Sequence, residues 1–313
     1  MSLRFLVLGA GGVGGYFGAR LTEGGVDTTF LVRGPRRDRL NEGGIRIHSD
    51  FFDDAEVPSV KAVTAEELDA PFDVILLTCK AYQLDAAMDT IAPAVGPDTS
   101  ILPVLNGMKQ IDLLQARFGE ERVLGGTTYI GARLDAETGD IFHFGDFHRI
   151  AFGEVAGGSS ARVEAIMALN DQVKFDFDLT EDISQVMWDK FAMLCAMSSV
   201  NTLTRGTVGE ILDTPSGHDF LMAALAECRD TADALGHTVT DKTIALYEKM
   251  FSTEGSKFAS SMLRDVLAGR RTEGDHIIGD MVDRAKAAGL HTPILLAARA
   301  GLAVHEKNVA AAG

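Results

Sequence analysis

Leu3-Arg-Phe-Leu-Val-Leu-Gly-Ala-Gly-Gly-Val-Gly-Gly-Tyr-Phe-Gly-Ala-Arg20 decides how the rest of the chain is read. The unbroken apolar run 5–8 has the pattern of a strand buried on both faces, and it ends at Gly9 in G-x-G-x-x-G spacing, with Gly9, Gly11 and Gly14 in the fixed places. A helix follows at once. Gly9 permits the tight turn, Gly11 lets backbone approach a pyrophosphate, and Gly14 lets helix and strand pack closely. Ala10, Gly12 and Val13 complete the loop, and free N–H groups at the helix start suit phosphates. A glycine-rich surface loop is the ordinary alternative. The strand before and the helix after favour dinucleotide binding.

The first helix is expected to close near Gly24-Gly25, and residues 27–32 read as a second strand with Arg33 just past its end. That position bears on cofactor type: a carboxylate there holds a ribose 2′-hydroxyl, whereas a basic residue accommodates a 2′-phosphate. Arg33, with Arg36 and Arg37 close behind, therefore points to NADP(H). A solvated charge run is the competing reading.

Further along, 43–57 suggests one or two short strands, 65–68 a brief helical piece and 73–79 a buried strand ending at Lys80. A helix over 84–95 and a strand over 100–105 ending in Asn106-Gly107 come next. Strand ends of this kind form the ligand-binding edge of an open α/β sheet, so Lys80 and Asn106 are candidates for the nicotinamide end; turn chemistry is the alternative for each. Helix 109–118 precedes strands at 123–130, 141–144 and 149–152, a helix over 160–172 and a strand near 174–177. His143 and His148 lack any carboxylate–histidine helix motif, so they read as strand-face residues rather than metal ligands. The pattern predicts an α/β fold, with a Rossmann-type doubly wound sheet over 1–180 and an all-helical domain over 181–313.

A chain of 313 residues, 46% hydrophobic and 24% charged, has ordinary globular composition and room for two domains. Its formal charge of −16 and pI near 4.9 argue against non-specific attraction to nucleic acid or anionic membrane. The three cysteines, Cys79, Cys195 and Cys228, are widely spaced and form no C-x-x-C, so neither a disulfide framework nor a zinc site is indicated. With no signal-peptide order and no apolar run near ~20 residues, a cytoplasmic location is expected. Met1-Ser2-Leu3 is compatible with a cloning remnant.

Two stretches of the helical half carry candidate chemistry. In the long helix predicted over 183–203, Lys190 heads a run that is otherwise apolar for two turns, and Leu194, Ser198 and Asn201 share its face. A lysine with its stem on apolar surface and its ammonium in water is the alternative. Later, Gly269 closes one helix and Thr272 reads as the N-cap of the next, with Glu273 and Asp275 in its first turn, where the helix dipole favours carboxylates. That structural reading accounts for Glu273 unaided.

The glycine-rich start, Leu77-Thr-Cys-Lys80-Ala-Tyr-Gln83, Leu105-Asn106-Gly-Met108, Gly126-Thr-Thr128, Trp188-Asp-Lys190 and the stretch from Ser260-Ser-Met-Leu-Arg-Asp to Thr272-Glu273 resemble, in order and spacing, the ketopantoate reductase (2-dehydropantoate 2-reductase) family. The resemblance implies reduction of 2-dehydropantoate by NADPH to (R)-pantoate, towards pantothenate and coenzyme A. It also implies a helical domain like that of 6-phosphogluconate dehydrogenase, with Lys190 as general acid, Glu273 fixing it, Ser261 contacting substrate, and Lys80 and Asn106 beside the nicotinamide. Asn106 would also touch the substrate. The chain departs from the family pattern at Leu194, Ser198 and Ile278, where asparagines are usual. Ser198 itself, Asn201 or Arg205 is the expected replacement contact. Another small 2-oxo acid, a cofactor-binding sensor without turnover, and a related dehydrogenase of phosphorylated or amino-linked hydroxy substrates are the rival readings. Amphipathic helices in the second half are compatible with a homodimer.

Overall fold

A computed structural model describes residues 3–312; Met1 and Ser2 lie outside the described residues. Contacts divide the chain into a first unit, residues 1–105 and 110–184, and a second, residues 106–109 and 185–313. The loop carrying Asn106 thus groups with the later helices, although it follows a strand of the first unit.

In the first unit, β1 (Arg4–Leu8), β2 (Asp27–Leu31), β5 (Lys61–Val63), β6 (Val74–Leu77) and β7 (Ser100–Pro103) form a five-stranded parallel sheet in the order β5-β2-β1-β6-β7. Phe5 lies opposite Thr28 on one side and Val74 on the other. Residues 5–8 are buried, as continuous apolar runs in parallel strands should be. The chain moves outward from β1 and then returns past it to β6. The carboxyl ends of β1 and β6 therefore flank the switch point where such sheets bind ligands.

A second sheet lies in the same unit. It contains β3 (Ile45–Ser49), β4 (Ala55–Val57), β8 (Leu124–Leu134), β9 (Ile141–Glu154) and β10 (Asp176–Leu179). The two alternating segments expected near 141–144 and 149–152 are one strand of fourteen residues. Its partner β8 pairs Ile130 with His148 and then Gly131 with Phe144, so residues 145–147 form a bulge, helped by Gly145 at φ 94°. A bulge bends a strand without ending it, and Gly145-Asp146 is a dipeptide that serves a bulge and a turn equally, so the sequence does not distinguish the two cases.

Helix α1 (Gly12–Glu23) packs against strands of both sheets. A Cβ at Gly15 would lie 2.7 Å from the Ile141 side chain of β9, and one at Gly18 would lie 2.4 Å from the Phe30 ring of β2. The extra glycines of this helix thus thin it on two faces. Helix α2 (Gly34–Gly43) was not expected: Leu40 is its one buried residue, so no apolar period announces it. His143 and His148 belong to a polar cluster. Ser49 Oγ lies 2.9 Å from His143 Nδ1, and Tyr16 Oη lies 2.6 Å from His148 Nδ1. Burial is the main cause holding both histidines below the usual imidazole pKa.

Between the sheets' strands run α3 (Leu84–Ile91), α4 (Lys109–Phe118) and α5 (Ala161–Met167). The later helices are α6 (Ile183–Thr204), α7 (Val208–Leu212), α8 (Gly217–Ala234), α9 (Asp241–Phe251), α10 (Ser261–Leu267), α11 (Asp280–Ala287) and α12 (Pro293–Ala312). From Phe191 to Asn201 every residue of α6 except Met193 is buried, the pattern of an enclosed helix segment. One turn of π-helix, Asp275–Gly279, runs directly into α11. Such turns are rare and often sit at functional sites. Among the described residues, no helix is long and apolar enough to cross a membrane.

Candidate active site

The glycine-rich turn is tied down by its own sheet. Gly9 N–H donates to the Leu31 carbonyl at 3.0 Å, and Thr78 Oγ donates to the Leu8 carbonyl at 2.7 Å, joining the ends of β1 and β6. Gly9 has φ 95°, which an L side chain rarely adopts. A Cβ at Gly14 would stand 2.3 Å from both the Gly9 carbonyl oxygen and Thr78 Oγ, whereas one at Gly11 would meet nothing within 4 Å. The protein therefore leaves space over Gly11, as close approach by a pyrophosphate requires. Gly12 has another reason to be glycine: its Cβ would lie 2.6 Å from the Ala132 carbonyl of β8. The G-x-G-x-x-G pattern contains no sign of that contact, because it comes from the second sheet.

Arg33 is exposed just beyond β2, at the N-cap position of α2, and makes no salt bridge among the described residues. Arg36 instead turns back to the turn itself, donating from Nη2 to the carbonyls of Ala10 at 3.3 Å and Gly139 at 3.2 Å. Arg37 pairs with Glu67 at 2.7 Å and Asp38 at 2.8 Å. The three arginines are thus not one solvated run. Arg33 alone has an uncommitted guanidinium, while Arg36 braces the loop.

Lys80 follows β6 at its carboxyl end, half-buried, and its carbonyl accepts from Gln83 N–H at 2.8 Å, opening a short 3₁₀ turn. Asn106 is also half-buried and precedes Gly107, whose φ of 99° supports a tight turn. For both residues, the turn chemistry read from the sequence is present. It leaves their side chains beside strand ends.

In the second unit, Lys190 is half-buried on α6. The neighbouring Trp188 is sandwiched: its ring stacks on His237 with centroids 4.9 Å apart, and the Arg284 guanidinium lies 5.6 Å from the ring. Asp189 is anchored too, accepting from Gln185 Nε2 at 2.8 Å and Thr243 Oγ at 3.2 Å, while its carbonyl accepts from Tyr247 Oη at 2.8 Å. These contacts fix the turn that carries Lys190. Further along the same face, exposure falls to 9% at Leu194 and 0% at Ser198 and Asn201.

Asn201, expected from the sequence at the substrate, is hydrogen-bonded to backbone in this structure. Its Nδ2 donates to the Gly206 carbonyl at 2.7 Å and its Oδ1 accepts from Ser260 N–H at 3.0 Å, so both ends of the amide serve the backbone. Ser198 is likewise enclosed, and among the described residues its hydroxyl has no hydrogen-bond partner. Arg205, the other expected replacement, is exposed and ends α6 with a left-handed φ of 58°. Ser260 caps α10 by accepting from Leu263 N–H at 3.1 Å, which leaves the half-buried Ser261 on the first turn.

Thr272, expected as the N-cap, lies two residues before the Gly274 cap position of the π turn; its hydroxyl accepts from Gly274 N–H at 3.3 Å, and its own N–H and hydroxyl both donate to Glu306 Oε1 at 2.7 Å. This bracket holds Glu273, which is 9% exposed. Three residues on, burial pulls His276 down to about 4, against the opposing influence of Glu273; Lys109 lowers it further and Asp275 opposes that. The imidazole is therefore neutral at pH 7. Glu306, contributed by α12, is a supporting residue that sequence spacing had no means of linking to Thr272.

Comparison with known proteins accounts for this arrangement. Residues 5–157 match the family described as ketopantoate reductase PanE/ApbA, and residues 182–303 match its C-terminal counterpart. An uncharacterized oxidoreductase, YkpB, of Bacillus subtilis (strain 168) is 35% identical over 97% of this chain and 99% of its own length. A 2-dehydropantoate 2-reductase of Mesorhizobium japonicum is 25% identical, with 94% of each chain covered. The crystal structure of 2-dehydropantoate 2-reductase from Methylococcus capsulatus superposes with a TM-score of 0.87 at 27% identity, covering 98% of both chains. From its first strand to its last long helix, the chain belongs to the ketopantoate reductase PanE/ApbA family.

Proposed function

We propose that the chain is an NADPH-dependent reductase of a small 2-oxo acid, with 2-dehydropantoate as substrate and Lys190 as general acid. The observation that carries this reading is Lys190 itself: an ammonium half-buried on an enclosed helix, on a turn anchored through both Trp188 and Asp189. In this reading residues 1–180 hold the cofactor and residues 181–313 supply the acid and the substrate contacts. Gly9, Ala10, Gly11, Gly12, Val13 and Gly14 cradle the pyrophosphate, Arg33 takes the 2′-phosphate, and Lys80 and Asn106 serve the nicotinamide end. The open space over Gly11 and the uncommitted Arg33 fit that cofactor.

NADPH supplies a hydride to the ketone carbon when bound. Negative charge then grows on the ketone oxygen, and the Lys190 ammonium stabilises it and delivers a proton from Nζ. Glu273 acts as counter-ion and fixes the ammonium in place. Ser261 and Asn106 donate to the carboxylate common to all 2-oxo acids. A cytoplasmic site of action and a homodimer are part of the same proposal.

The test follows NADPH oxidation with 2-dehydropantoate and a panel of other 2-oxo acids. Lys190→Ala should lower kcat by about 10²- to 10⁴-fold while NADPH affinity stays within a few-fold. Equal losses in both would make Lys190 a binding residue. Arg33→Ala should weaken NADPH and spare NADH; an unchanged preference would remove the basis for NADP(H). NADPH binding without turnover of any 2-oxo acid would favour a sensor.

A further inference from the structure

The face of α6 that carries Lys190 has polar residues by sequence but offers none of them to a ligand. The Asn201 amide is committed at both ends to the Gly206 carbonyl and Ser260 N–H. Ser198 has no accessible surface and its hydroxyl has no partner among the described residues, so it lies beneath the surface of the helix. Ser199 and Thr202 lie on other faces of the helix, where their hydroxyls donate to the Cys195 carbonyl at 2.8 Å and the Ser198 carbonyl at 2.7 Å. Asp189, on the other side of Lys190, is held by Gln185 and Thr243.

Leu194 remains. Helical side chains lean towards the N-terminus, so a residue one turn after Lys190 covers the surface beside it. Leu194 keeps a sliver of exposure there.

We infer that Leu194 makes the α6 wall beside the Lys190 ammonium apolar, and that the enzyme does not read a hydroxyl on the substrate's substituent. Its substrate class is the 2-oxo acids with a branched apolar C3 group, whether or not a hydroxyl is attached. This rests on the reductase reading above. The physical expectation is asymmetric: a site that hydrogen-bonds a hydroxyl rejects the analogue lacking it by about 10⁴- to 10⁵-fold, whereas an apolar pocket separates such a pair by about 10²-fold or less.

The experiment compares kcat/KM for 2-dehydropantoate, which is 4-hydroxy-3,3-dimethyl-2-oxobutanoate, with that for 3,3-dimethyl-2-oxobutanoate, using the full-length enzyme and NADPH. The two differ by one hydroxyl. Values within about 100-fold of one another are expected, and a preference of more than about 100-fold for the hydroxylated acid overturns the inference while leaving the reductase reading intact. Turnover of no 2-oxo acid overturns both. Leu194→Asn should move the ratio towards the hydroxylated acid by about ten-fold or more; an unchanged ratio removes Leu194 from its assigned role. The wild-type comparison stands whether or not that variant folds.

Discussion

Gly11 and Gly14 belong to one short motif, yet alanine at the two positions should fail in different ways. At Gly14 the new methyl would stand 2.3 Å from the Gly9 carbonyl oxygen and 2.3 Å from Thr78 Oγ, and that hydroxyl is itself held by the Leu8 carbonyl. Overpacking of this kind costs about 1–3 kcal/mol; with a backbone atom as the obstacle, the upper part of the range applies. Alanine recovers about 0.5–1 kcal/mol through its helix preference. The net expectation for Gly14→Ala is a loss of about 2 kcal/mol in stability, together with loss of cofactor binding. At Gly11 no protein atom lies within 4 Å of the added methyl, and the backbone, φ −80° and ψ −163°, suits any residue. Reduced freedom in the unfolded chain contributes about 0.4–1 kcal/mol, offset by alanine's poor N-cap behaviour, so stability should stay within about 0.5 kcal/mol. The methyl instead fills the space assigned to the pyrophosphate, at about 1–3 kcal/mol, a rise of about 5- to 150-fold in Kd. Urea unfolding and a fluorescence titration with NADPH measure the two quantities separately. If Gly11→Ala binds NADPH as the parent does, the pyrophosphate does not lie over Gly11 and the assignment of the turn fails.

Three other outcomes follow from particular contacts. Asn201→Ala leaves the buried Gly206 carbonyl and Ser260 N–H unpaired and should cost about 2–5 kcal/mol in urea unfolding, with KM unchanged; raised KM at full stability would restore Asn201 to the substrate. Arg205→Gly should raise stability by about 1 kcal/mol by relieving a left-handed non-glycine residue, and an unchanged or lower unfolding midpoint would contradict that account. His276 binds protons less readily folded, near pH 4, than unfolded, near 6.5. Its contribution is therefore complete above about 6.5 and lost as pH falls towards 4, by about 3 kcal/mol at 1.36 kcal/mol per pH unit. His276→Gln should flatten that acid limb of the unfolding profile, and a profile of unchanged slope would show that other groups set it.

The Gly9–Gly14 turn, the strands on either side of the switch point and the long helix around Lys190 were legible because each depends on local pattern: a buried apolar run, fixed glycine spacing, a helical period. Other features were hidden for equally physical reasons. Helix α2 carries one buried residue, and β9 survives a bulge that resembles a break. Sequence also treated the Lys190 face as a row of equivalent polar candidates.

By itself, then, the sequence determined an α/β unit followed by a helical one, a dinucleotide-type turn and a lysine set in apolar surroundings. Tertiary structure decided which polar groups remain available. The Asn201 amide went to the backbone of another segment, Ser198 went under cover, Arg36 went to brace Ala10 while Arg33 stayed exposed, and Glu306 came from α12 to hold Thr272. The reason is that hydrogen bonding and burial are satisfied between residues far apart in the chain, and residue type and spacing alone carry no record of those partners.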